Sequence, residues 1–185
     1  AAGLWRNVCP LSTFALLPGK LGLSRRRRVP PVWQGRLQLA SVLILFLIVP
    51  LRHIWFDMSG SGTALLLAAA GLAAVGAGSR FEMKSAWCSG LCPVHPVERL
   101  YGSRPGLTLP NSRCTQCAGC SVTCPDSTVN LTPFSGTRFP AHKAAALLLT
   151  GGFPGFIAGW SLVPDVQAAP ASGEWLRAFW LPAGG

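Results

Sequence analysis

Seven cysteines carry the chemistry of this chain, and four of them fall in one run: Cys114, Cys117, Cys120 and Cys124, followed by Pro125. The spacing C-x2-C-x2-C-x3-C-P is the one that wraps three thiolates around corners of a [4Fe-4S] cubane and points the fourth at a neighbouring site. A structural zinc site instead sets two close pairs some distance apart, which this run does not do. The other cysteines are Cys88 and Cys92, in the stretch Trp87-Cys88-Ser-Gly-Leu-Cys92-Pro93-Val-His95, and Cys9, in Trp5-Arg-Asn-Val-Cys9-Pro10-Leu11. An odd number of cysteines counts against complete disulfide pairing and favours ligation in a reducing compartment. No phosphate-binding loop, dinucleotide fingerprint, nucleophile elbow or H-E-x-x-H motif occurs. Catalysis on an organic substrate is therefore not expected.

The elements that must position these thiols are apolar. Half of the 185 residues are hydrophobic and only 12% are charged, against about a quarter in a typical soluble domain; the mean hydropathy is +0.40. Three stretches are predicted to cross a bilayer as helices: 37–56, 58–79 and 144–164. About 20 apolar residues suffice for a span, and only internally hydrogen-bonded helices or closed barrels are tolerated there. The expected class is an all-α membrane protein with at least three transmembrane helices and a cytoplasmic iron-sulfur loop region. Its organisation is a basic segment 1–36 with a Cys-Pro motif, a transmembrane hairpin 37–79, the iron-sulfur loop region 80–143, the third helix 144–164, and an outer tail 165–185 that could begin a fourth helix.

Charge orients the arrangement. Sixteen Lys and Arg face six Asp and Glu, and the cations concentrate in 1–36 (Arg6, Lys20, Arg25 to Arg28, Arg36) and in 80–143. By the positive-inside rule both basic regions lie in the cytoplasm, which a helical hairpin permits because it returns both ends to one side. That places all seven cysteines on one face and accounts for the charge without nucleic acid as a partner. Small residues repeat every four positions in the second span (Ala69, Ala73, Ala77; Ala70, Ala74, Gly78) and in the third (Gly151, Gly155, Gly159). Such rows either let backbones approach closely or reflect the abundance of Gly and Ala in membrane helices.

Aligning Cys9-Pro10 with Cys92-Pro93 sets Trp5 opposite Cys88, a weak internal repeat that would place a further membrane helix before Ala1. Ligand arithmetic then leaves two readings open. One cluster uses Cys114, Cys117, Cys120 and a Cys-Pro cysteine, Cys92; a second would take Cys124, Cys88 and Cys9, with Asp126 or His95 as candidates for the eighth position. The alternative is a single cluster with three spare thiols. His142, just before the third span, reads as an interfacial residue.

Membrane helix, basic loop, aromatic-rich C-x3-C-P and then the C-x2-C-x2-C-x3-C-P run resemble the polytopic membrane ferredoxin-type proteins of the NapH/NosR kind. The resemblance covers roughly residues 5–125. It implies electron transfer between the quinone pool and other redox partners, or maturation of a metalloenzyme. The expected function is a [4Fe-4S] electron-transfer subunit, itself non-catalytic, at the cytoplasmic face of a bacterial-type inner membrane. Its partners would be the lipid bilayer and quinone-, haem- or flavin-binding subunits of a redox complex. A membrane assembly factor, and an anchor whose cluster only staples the loop, are the other classes the residues allow.

Overall fold

The computed structural model describes residues 8–56, 59–82, 84–102 and 139–162, and these are almost wholly helical. Helix α1 spans Pro10–Lys20, α2 Pro31–Leu51, α3 Gly60–Arg80, α4 Val94–Gly102, α5 Pro140–Leu147 and α6 Phe153–Ser161. Wider π-helical turns continue α2 at Arg52–Phe56, join α5 to α6 at Leu148–Gly152, and form the segment Lys84–Leu91. Three helices are long and apolar enough to cross a membrane: Pro31–Leu51, Gly60–Arg80, and the continuous Pro140–Ser161 of 22 residues.

Local chemistry sets the ends. Proline opens α1, α2 and α5, where its fixed φ suits the first turn and its missing N–H would have had no partner. Ser59 caps α3 by accepting from the Gly62 amide at 3.1 Å, and Arg80 lies in the last turn, against the negative end of the helix dipole. In the third span the π turn ends two residues before Pro154, which has no N–H to donate to Thr150 one turn back. Thr150 Oγ1 instead donates to the Ala146 carbonyl at 2.8 Å.

The helices begin earlier than the apolar stretches do. The first starts six residues before Leu37 and the third four before Ala144, so Gln34, Arg36, His142 and Lys143 occupy helical turns at the edge of the apolar region.

Helices α2 and α3 form a hairpin, closed at its far end by Thr63 Oγ1 donating to the Phe56 carbonyl at 2.8 Å. The third span runs parallel to α2. Gly35 faces the His142 ring, where a Cβ would sit 3.3 Å from it. Further along, Phe46 meets Phe153 and Phe156 with ring centroids 5.6 and 4.7 Å apart. The starts of α2 and α5 and the end of α3 therefore share one end of the molecule.

Helix α1, which falls within the segment read as basic and cytoplasmic, packs along α3 instead of standing apart. Ala15 and Ala74 are buried at their contact, with Leu11, Leu16, Ala70 and Ala77 around them. Gly78 touches the Ala15 backbone carbonyl directly. Of the two small-residue rows in α3, the one through Ala70, Ala74 and Gly78 is the packing face, whereas Ala69 and Ala73 are exposed. On the third span a Cβ at Gly151 or Gly155 would meet nothing within 4 Å among the described residues.

Candidate metal centre

The two Cys-Pro dipeptides occupy equivalent places in the fold: each leads into a helix, Cys9-Pro10 into α1 and Cys92-Pro93 into α4. Cys9 precedes the first turn of α1, and its carbonyl accepts from Ser12 Oγ at 2.9 Å and Thr13 Oγ1 at 3.4 Å. The Cys92 amide donates to the Trp87 carbonyl at 2.9 Å, and its own carbonyl accepts from the His95 amide at 3.2 Å. Amides exposed at a helix start favour a negative sulfur.

Cys92 is held from across the molecule as well. Ser41 Oγ, itself fully buried in α2, donates to the Cys92 carbonyl at 2.7 Å, and Gln38 Nε2 donates to the Ser89 carbonyl at 3.2 Å. The first span thus fixes the C-x3-C loop at the edge of the apolar region. Gln34, Gln38 and Ser41 follow an i, i+4, i+7 pattern, one helical face. That pattern was present in the sequence but is overshadowed there by the surrounding apolar run.

Cys92 and Cys88 pack against the Ala15, Ala74 and Trp87 core. Burial pushes the Cys92 thiol up from 9.0 to about 11; the amides of Val94 and His95 pull against that rise, and Cys9 and Glu98 add to it electrostatically. Cys9 stands one residue before α1, whose Leu11 packs against the same core. Two buried donors in this loop, Trp87 Nε1 and Ser89 Oγ, have no hydrogen-bond partner among the described residues, which is rare and costly for buried polar groups.

The described thiols do not complete a site. No disulfide joins Cys9, Cys88 and Cys92 to one another, and among the described residues no three His, Cys, Asp or Glu side chains come together to hold a metal ion. Cys114, Cys117, Cys120, Cys124 and Asp126 lie outside the described residues. His95, a candidate eighth ligand, is buried on α4. It lines a small cavity of about 40 Å³ with Gln38, Val42, His142 and Ala146, room for water or an ion. His142, at the edge of the apolar region, is buried as well and packed on Gly35.

Comparison with protein-family models, with curated proteins and with solved structures finds no match.

Proposed function

We propose that this chain is a membrane-bound [4Fe-4S] electron-transfer subunit, relaying electrons at the cytoplasmic surface within a larger redox complex. The observation that carries the reading is the C-x2-C-x2-C-x3-C-P run from Cys114 to Pro125. The gathering of Cys88 and Cys92 at one end of three membrane-length helices, with Cys9 at the start of the helix that packs on the same core, supports it.

Cys114, Cys117 and Cys120 with Cys92 would hold one cluster, and Cys124, Cys88 and Cys9 would contribute to a second. Such a group supplies one-electron exchange. The residues here contribute position, desolvation and hydrogen bonds to sulfur. Ligation takes the thiolate, so binding at Cys92 would release its proton. The fixed, water-poor loop suits a relay, which needs little rearrangement between oxidation states. The partners are then the bilayer and quinone-, haem- or flavin-binding subunits, in a bacterial-type inner membrane.

Anaerobic purification with iron and acid-labile sulfide counting, followed by electron paramagnetic resonance after dithionite, tests the proposal. One cluster gives about four irons per chain and two give about eight. Zinc in place of iron, or a centre that dithionite cannot reduce, would reject the relay.

A further inference from the structure

The basic run Arg25 to Arg28 is built into the fold. Ser24 Oγ donates to the Gly78 carbonyl at 2.6 Å, the Arg25 amide donates to the Ser79 carbonyl at 3.0 Å, and the Glu82 amide donates to the Arg27 carbonyl at 2.9 Å. A parallel bridge joins Arg27 to Phe81, and Arg26 sits at φ 45°, a left-handed conformation that a long side chain seldom adopts. The backbone of the loop is thus held at one level, the end of α3 and the start of α2, with Arg26 Nη2 donating to the Gly19 carbonyl at 3.5 Å.

Two chemistries meet at that level. Lys20, Arg25, Arg26, Arg27 and Arg36 are exposed, and no acid occurs between Ala1 and Phe56; half-buried Glu82 neighbours Arg27. Among these cations lie Leu21 at 62%, Leu23 at 71% and Trp33 at 56% exposure, with the Arg36 guanidinium 4.9 Å from the Trp33 ring centre. A tryptophan at the end of a membrane-length helix marks the headgroup level of a bilayer. Exposed leucines on a polycationic loop are a liability in water and an asset at an acyl boundary.

We infer that the rim formed by the 21–28 loop and the first turns of α2 is a binding site for anionic phospholipid, its arginines on the phosphate and glycerol headgroup and Leu21, Leu23 and Trp33 against the acyl chains. A soluble polyanion such as nucleic acid would use the arginines and leave the leucines without a role. The inference stands apart from any bound cluster.

Native mass spectrometry of the full chain in nonionic detergent, titrated with phosphatidylglycerol and with phosphatidylcholine, tests it. Phosphatidylglycerol should bind at least about tenfold more tightly. The triple variant Arg25→Gln, Arg26→Gln, Arg27→Gln should lose about a hundredfold of that affinity, at roughly fivefold per arginine, with unchanged helical circular dichroism. Leu21→Ser with Leu23→Ser should weaken both lipids, which a purely electrostatic surface would not do. Equal affinity for the two lipids, or an arginine variant that binds as the parent does, would overturn the site. So would displacement of the lipid by inorganic phosphate at equal concentration, or by a short oligonucleotide at lower concentration.

Discussion

The face of α3 through Ala70, Ala74 and Gly78 and the face of the third span through Gly151 and Gly155 look alike as sequence, small residues one turn apart, yet among the described residues the first is covered and Gly151 and Gly155 are not. What separates them among those residues is a packed partner helix. Helix α1 presents Ala15, flanked by Leu11 and Leu16, and its backbone reaches Gly78. Without a hydrophobic force between helices in lipid, close backbone contact is a main source of attraction. A row of small residues is therefore a capacity for packing, realised only where a second small surface faces it.

Replacing Gly78 by Leu tests the difference most severely. Its first side-chain atom would overlap the Ala15 carbonyl, so α1 must move off α3. We expect a loss of about 3 kcal/mol in reversible denaturation of the detergent-solubilised protein, whereas Gly155→Leu should change stability by less than about 0.5 kcal/mol. Equal effects would erase the distinction between the faces.

The next effect is in pH, on the sealed side. The Cys92 thiol is neutral in both folded and unfolded chains below about pH 9. Between its ordinary 9.0 and the folded value of about 11, only the unfolded chain ionises. Stability of the cluster-free protein should then fall by about 2 kcal/mol as pH rises across that window. Cys92→Ala should flatten this decline.

Ser41→Ala removes the 2.7 Å bond to the Cys92 carbonyl but leaves that oxygen its bond from the His95 amide. The expected cost is about 1 kcal/mol, together with faster maleimide labelling of Cys92 in the folded protein. Smallest is Gly151→Ala on the bare face. A methyl group there meets nothing within 4 Å among the described residues, and the reduced freedom of the unfolded chain should stabilise the protein by about 0.5 kcal/mol.

Composition alone reveals the three spans, because an uninterrupted apolar stretch of that length has few other fates. Helix α1 is harder to read. It has only eleven residues, with Pro10, Pro18 and Gly19 among them, and an isolated helix so short is marginal in water. Its stability comes from α3, far along the chain, so no local pattern announces it. The early starts of α2 and α5 were signalled by Pro31 and Pro140, whereas hydropathy registers only the change to apolar residues at Leu37 and Ala144. The buried pairing of His142 with Gly35 depends on the third span lying beside the first, and neither residue carries that information alone. At the candidate site, the cysteine spacing was plain, while the Gln38 and Ser41 bonds that fix the C-x3-C loop emerged only once the helices were assembled.

The bond from Ser24 to the Gly78 carbonyl joins positions 54 apart, and it bears on how the molecule is made. A ribosome adding about 5 to 20 residues per second leaves Ser24 waiting roughly 3 to 10 seconds before its acceptor exists. During that interval the α3 surface that buries Ala15 does not yet exist. The basic loop takes its place only once Gly78 and Ser79 have been made, so this end of the molecule assembles after the second span is complete.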